Sequence, residues 1–264
     1  MLNPQKSPNP PVRTLKFSDK QHGRYWWFTA TKAKYVPPIF DFLSDQEWEV
    51  MRLWYEDSEK TRPLGTGECN VPAMSMLMGL IMGNNISRVA QCGHYIGFST
   101  LLLGFMMRRM SHQNSVFSVD IDPYVSAYTS SWVQRAGLEP QVRIDINDSA
   151  NPQAAQNAKS FLKGAPQVVF IDSSHEYDHT IRELDLWYPL LQPGGFIALH
   201  DVSQFAVRFD AKKGVGVKGA LQTWVSKHPE AQTIFINDFC TDQHFGERTV
   251  YKDASGLGII QKPS

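Results

Sequence analysis

Cysteine is scarce in this chain. Its 264 residues include three cysteines, Cys69, Cys92 and Cys240, odd in number and widely spaced, which leaves no disulfide framework and no CxxC zinc site to read. An excess of either charge is missing as well. The 26 basic residues balance the 26 acidic ones at a formal net charge of zero, so no field of the kind that gathers nucleic acid builds up. The longest apolar stretches, AMSMLMGLIMG and LLLGFMM, fall short of the roughly 20 residues that a bilayer-spanning helix needs. The start, MLNPQKSPNPPVR, is polar and proline-rich, without the apolar stretch of a signal peptide. These absences predict a cytoplasmic protein with neither membrane nor nucleic-acid partners. What remains is ample for folding, because 42% of the residues are apolar and the length suits one large α/β domain or one domain with an appendage.

Residues 1–40 are rich in proline and aromatics, as in GRYWWFTATKAKYVPP, and predict an irregular arm. SDQEWEVMRLWYEDSEK follows. Ser44 and Glu47 form a capping box there, with Trp48, Met51, Leu53 and Trp54 as an apolar face. After the loop PLGTGECN, VPAMSMLMGLIMG reads as a buried helix. From residue 87 short apolar strands alternate with helices. The strands are 88–92, 116–121, 142–146, 167–172 and 195–200, the rhythm of βαβ units and a parallel sheet. Two further strands, 232–237 and 256–262, have no helix between them and are free to pair antiparallel. The division falls near residue 70. Residues 1–70 form an arm and helix acting as lid, substrate contact or contact between copies in a homo-oligomer, and residues 71–264 form the cofactor-binding domain.

Ligands of open parallel sheets bind beyond the carboxyl ends of the strands. After the first strand, QCGHYIGFST places Gly93 and Gly97 around a tight turn before a helix, whose first N–H groups are free to meet a ligand. Asp120 ends the second strand and suits ribose hydroxyls. Asp148 and Ser149 follow the third, and either face an adenine edge or cap a helix. Gly93 and Gly97 are four apart and do not make G-x-G-x-x-G. This favours a nucleoside cofactor without a diphosphate over a dinucleotide.

The stretches RVAQCGHYIGFSTLLLG, VFSVDIDP, INDSA and VVFIDSSHEYDHTIRELDLWYPLLQPGGFIALHD together resemble class I S-adenosylmethionine-dependent methyltransferases, in the branch that methylates hydroxyls of small molecules and sugars. The resemblance covers roughly residues 70–262, and 167–201 is its most specific part. It implies a doubly wound α/β fold, a seven-stranded Rossmann-like sheet, mostly parallel with the last strand antiparallel. It also implies that Gly93, His94, Tyr95, Gly97 and Ser99 wrap the methionine part of S-adenosyl-L-methionine, that Asp120 holds the ribose, that Asp148 and Ser149 lie near adenine, and that Asp172 faces the cofactor amine or a metal. Two positions depart from the pattern. Gln91 stands where the family usually has an acid, and His94 where a threonine is common.

HEYDH, residues 175–179, fits H-E-x-x-H, the short signature of zinc peptidases. No third ligand follows at close spacing; Glu230 and Glu247 are distant. Ser173 and Glu176 match S-x-x-E, which predicts a capping box that opens the next helix. That helix would bury Tyr177, Ile181, Leu184, Tyr188 and Leu191 and turn His179 outward. His175, just past the fourth strand, is a candidate general base or substrate contact. His200 and Asp201 end the fifth strand and with Asp172 could bind a divalent cation (Mg, Mn or Ca), the imidazole favouring a softer ion than magnesium. Without metal, His200 or Asp201 would join His175 as a candidate base. GRYWWF and FAVRFDAKKGVGVKG are the candidate lids over a small-molecule acceptor. The expected activity is methyl transfer to a hydroxyl, with a small amine acceptor or cofactor binding without turnover as the alternatives.

Overall fold

A computed structural model of the protein describes residues 36–61, 68–243 and 248–264. The arm GRYWWF and Glu247 lie outside them. The chain divides into two compact units, Met1–Arg62 and Pro63–Ser264. In the first, helix α1 (Asp45–Thr61) opens on the expected capping box. The Ser44 N–H donates to Glu47 Oε2 at 2.7 Å, and the Glu47 N–H donates to Ser44 Oγ at 3.3 Å. Trp48, Met51 and Trp54 are buried, while Leu53, expected on the same face, is exposed: the 100° step of a helix carries position 53 away from 51 and 54.

The second unit is one sheet with helices. Strands β1 (Val89–Cys92), β2 (Val116–Asp120), β3 (Val142–Ile146), β4 (Val168–Ile171), β5 (Phe196–His200), β6 (Gln232–Ile236) and β7 (Leu257–Gln261) lie in the order β3-β2-β1-β4-β5-β7-β6. Strand β7 pairs antiparallel with both β5 and β6, and the other pairings are parallel. The order reverses between β1 and β4, and there the strands' carboxyl ends open a crevice. Strands β1 and β4 are buried along their whole length, as a strand covered on both faces must be.

The helices are α2 (Val71–Gly83), α3 (Phe98–Arg109), α4 (Pro123–Arg135), α5 (Pro152–Phe161), α6 (Tyr177–Leu190) and α7 (Gly216–Lys227). Helices α4 and α5 start at Pro, with Asp122 and Asn151 side chains accepting the N–H of Tyr124 and Gln153, the usual chemistry of an N-terminus. Helix α7 takes in the last four residues of the segment read as a lid, 216–219, and its buried face holds Val217, Leu221 and Trp224. Among the described residues no helix is long and apolar enough to cross a membrane.

The rest of that segment, 205–215, is fastened by Asp210. Its buried carboxylate accepts N–H groups from Tyr177, Lys212, Lys213, Val215 and Gly216. Burial alone would raise its pKa; the N–H groups outweigh that and bring it down to about 2. A carboxyl depressed from the ordinary ~3.9 contributes about 2 kcal/mol of stability, fully present above pH ~4 and lost as pH falls through ~2. Asp210→Asn should therefore be less stable than the wild type by about that amount at pH 7. The gap should close between pH 4 and 2 in denaturation curves. A gap that stays constant with pH would assign the loss to packing instead.

Candidate active site

The loop after β1 is built for close approach. Gly93 has φ 85°, and a Cβ there would stand 2.0 Å from the Asp172 carbonyl oxygen, so only glycine lets the β1 and β4 exits pass this near. The loop is tied to β2 by Asp120. Oδ2 accepts the N–H groups of His94 and Tyr95 at 3.1 and 3.0 Å, and Oδ1 accepts that of Asp122 at 3.1 Å. An ionised carboxylate has about four lone-pair sites, so capacity remains for a ligand hydroxyl. Gly97, with φ 95°, starts α3.

Beneath the loop lies a closed polar network. Gln91 is fully buried. Its amide nitrogen donates to Ser99 Oγ at 2.6 Å and to Gly93 O at 3.1 Å, and its oxygen accepts from Thr100 Oγ1 at 2.9 Å and Ser118 Oγ at 3.3 Å. The His94 ring is buried with Nδ1 3.1 Å from Ser118 Oγ and Nε2 3.0 Å from Ser126 Oγ. Burial outweighs the pull of Asp120 and lowers its pKa to about 4. At pH 7 this is a neutral, fully partnered imidazole. The structure thus places Gln91 and the His94 ring under the loop, and only the backbone of His94 at its surface.

The β3 exit departs from expectation. Asp148 Oδ1 lies 2.8 Å from His179 Nε2 and accepts the Ala150 N–H. Burial would raise the Asp148 pKa, but the Ala150 N–H, His179 and Arg182 lower it. Ser149 turns inward, its hydroxyl donating to Glu183 Oε1 at 2.5 Å, and Ser173 Oγ donates to the same carboxylate at 2.8 and 2.9 Å. His179 Nδ1 sits 3.3 Å from Glu183 Oε2, an ion-pair distance without hydrogen-bond geometry. Burial lowers the His179 pKa, and Glu183 and Asp148 raise it further than burial takes it down.

Two expectations for this stretch therefore fail, and a third holds in part. His179 is held between two carboxylates and does not face outward. Ser173 and Glu176 make no capping box, because Ser173 serves Glu183 and Glu176 pairs with Lys212 at 2.8 Å. Of the predicted apolar stripe, Leu184, Tyr188 and Leu191 are buried and Ile181 packs against the core, but the buried face of α6 also takes in Thr180, Trp187 and the charged Glu183. No zinc-peptidase geometry forms either. His175 precedes α6 with φ 60°, so the two histidines of HEYDH do not share a helical face; they turn to different carboxylates, Asp201 and Asp148.

At the β4 and β5 exits the expected constellation is present. His175 Nδ1 lies 3.0 Å from Asp201 Oδ2. His200 Nδ1 is 3.4 Å from both Asp172 Oδ1 and Asp201 Oδ2, and its Nε2 is 2.9 Å from Asp253 Oδ2. Burial pulls the pKa of each histidine down, but the carboxylates push harder: His175 ends above its ordinary value, chiefly through Asp201, and His200 well above it. Burial would raise the Asp201 carboxyl, and His200 and His175 hold it well below the usual range. The His175 side chain is 32% exposed against 7% for His200, so of the two imidazoles His175 is the one open to a substrate. Its ring lies 5.8 Å from that of Phe209 in the fastened segment, and Phe209 is 41% exposed. The two lysines of that segment are engaged, Lys212 with Glu176 and Lys213 with Asp178, while Arg208 lies over the Phe205 ring.

A small cavity opens beside this constellation, lined by Glu68, Cys69, Gly93, Tyr95, Ser99 and Asp172 among others. Glu68, Glu183 and Asp253 were not legible as site residues. Glu183 carried a weak signal, a charge interrupting the apolar face of α6. Asp253 carried none, since 53 residues separate it from His200.

Comparison with known proteins agrees with this geometry. Residues 90–202 match a family model described as a methyltransferase domain. A rhamnosyl O-methyltransferase of Mycobacterium bovis (strain BCG / Pasteur 1173P2) is 25% identical over 181 residues, 64% of this chain and 69% of that protein. The fold matches the O-methyltransferase from Bacillus cereus in complex with SAH at a TM-score of 0.60 and 14% identity, over 83% of this chain and 91% of that one. It also matches the O-methyltransferase TomG from Streptomyces achromogenes, involved in tomaymycin synthesis and solved with SAM, at a TM-score of 0.55 and 15% identity, over 84% and 91%. Over residues 90–202 the chain is thus similar to a methyltransferase domain, and its sheet shares the fold of these solved O-methyltransferases.

Proposed function

We propose that this protein transfers the methyl group of S-adenosylmethionine to a hydroxyl of a small, uncharged acceptor such as a sugar or a phenol. The observation that carries the reading is the half-exposed His175 held by buried Asp201 at the β4–β5 exits, beside the cavity that begins at Gly93. Asp201, an acceptor only, keeps the N–H of His175 on Nδ1 and leaves Nε2 as the basic nitrogen. His175 takes the acceptor's hydroxyl proton, the oxygen lone pair forms the new bond to the methyl carbon, and the carbon–sulfur bond electrons return to sulfur, releasing S-adenosylhomocysteine. The protein's other task is to hold that oxygen in line with methyl and sulfur. Phe209 beside His175 is suited to stacking on a ring, and the pairing of Lys212 and Lys213 with acids favours a neutral acceptor. The rhamnosyl specificity named for the mycobacterial relative fits this chemistry.

A divalent cation fits the same constellation. Ligand atoms of Asp172, His175 and Asp201 lie within 4.8 Å of one another. His200 presents Nδ1 to Asp172 and Asp201 while Asp253 holds its Nε2, the arrangement that orients metal-binding imidazoles. Asp172 and Asp201, with the imidazole of His175 or His200, would hold the ion, manganese rather than magnesium or calcium given the imidazole, and such an ion would supply Lewis-acid polarisation of an acceptor oxygen.

The test is labelled-methyl transfer from S-adenosylmethionine to a panel of glycosides, phenols and amines, before and after EDTA. Label on glycosides or phenols supports the proposal; label on amines alone refutes it. Loss of activity on EDTA treatment, with recovery on adding manganese, supports the cation, and unaltered activity removes it. Asp120 supplies a further prediction, because a charged acceptor on ribose hydroxyls contributes ~1.5–3 kcal/mol. Asp120→Ala should weaken S-adenosylhomocysteine binding at least about tenfold by calorimetry, and unchanged affinity would take the ribose away from Asp120.

A further inference from the structure

The methionyl end of the cofactor carries an ammonium and a carboxylate, and a site that binds it must answer both charges. The sequence resemblance implies an acid at the end of β1, Gln91 stands there instead, and the structure shows that Gln91 offers no substitute. Both its amide hydrogens and its carbonyl oxygen are spent on Ser99, Gly93, Thr100 and Ser118, and it is fully buried. The cavity beside Gly93 nevertheless has two carboxylates in its wall, Glu68 and Asp172. Asp172 shares its charge with His200, 3.4 Å away. Glu68 comes from the other side of the sequence, and its position is well anchored: Cys69 next to it is 1% exposed, and Asn70 caps α2 by accepting the Val71 N–H at 2.8 Å. Phe98 and Ser99, the first residues of the twelve-residue helix α3, line the same cavity and present the positive end of that helix to a carboxylate. An amino-acid zwitterion is thereby matched, acid residues to its ammonium and a helix start to its carboxylate.

We infer that Glu68 binds the ammonium of the cofactor's methionyl arm, in the place of the acid that Gln91 is not. Negative charge has moved from the end of β1 to the loop before α2, and the amide left behind organises the floor of the site. The inference rests on S-adenosylmethionine being the methyl donor.

The experiment is calorimetry on the full chain with S-adenosylhomocysteine and with an analogue lacking only its amino group. Wild type should prefer the natural ligand. Glu68→Gln, close in shape, should weaken S-adenosylhomocysteine about 10–100-fold, the usual worth of a hydrogen bond to a charged group. It should leave the analogue's affinity unchanged, so that the preference collapses. Equal affinity of variant and wild type for S-adenosylhomocysteine overturns the inference. Equal weakening of both ligands also overturns it, because that marks general damage to the pocket. If wild type binds neither ligand, the donor itself is wrong, a failure distinct from the other two.

Discussion

Glutamine at position 175 is expected to slow methyl transfer about 10²–10⁴-fold, the span that a general base contributes, while S-adenosylhomocysteine binds as tightly as to the wild type. The two readouts separate because His175 lies on the acceptor side. It faces Asp201 and Phe209, whereas the loop around Gly93 is held by Asp120. Glutamine keeps a donor for Asp201 and removes the nitrogen that would accept the proton. Single-turnover transfer of labelled methyl, with the acceptor found in the panel, measures the first quantity and calorimetry the second. Unchanged turnover would remove His175 from the mechanism and shift the work to a cation at Asp172, His200 and Asp201. An equal fall in affinity would show that the residue shapes the cofactor site instead.

The second large effect concerns acid. His94 is neutral and buried between two serines, its pKa lowered by burial to about 4. In the unfolded chain the same ring titrates near 6.5. Its contribution to stability is therefore fully present above pH ~6.5 and is lost as pH falls through ~4, because the unfolded state binds the proton first. The difference amounts to about 3 kcal/mol. Denaturant melts of wild type and His94→Gln, compared between pH 7 and 4, should show the wild type losing roughly that much more than the variant. The comparison isolates His94 from His175 and His200, whose raised pKa values act in the opposite direction and are common to both proteins. Parallel pH profiles would mean that the ring takes up its proton in the folded state as readily as in the unfolded one.

Much of the fold was legible because strand and helix are local properties. The seven strand spans matched within a residue or two, and the antiparallel tail followed from the missing helix before β7. The capping box at Ser44 and Glu47 formed because both partners lie within one turn of α1 and nothing nearby competes for them. The identical pattern at Ser173 and Glu176 did not form. Glu183 and Lys212, ten and 36 residues away, took the two side chains. A buried carboxylate without donors costs more than a helix start left to other caps, so Ser173 went to Glu183.

By itself the sequence determined the alternation of strands and helices, the glycine at the β1 exit, and which acids and histidines end the strands. Those depend on residue type and spacing along the chain. Only the tertiary structure decided what each polar group does. It sealed Gln91 and the ring of His94 under the loop, drew His179 between Asp148 and Glu183, set Asp253 behind His200, and brought Glu68 to the cavity wall. Each of these outcomes depends on which donors and acceptors from distant segments must be satisfied away from water. That competition is settled only when the sheet assembles.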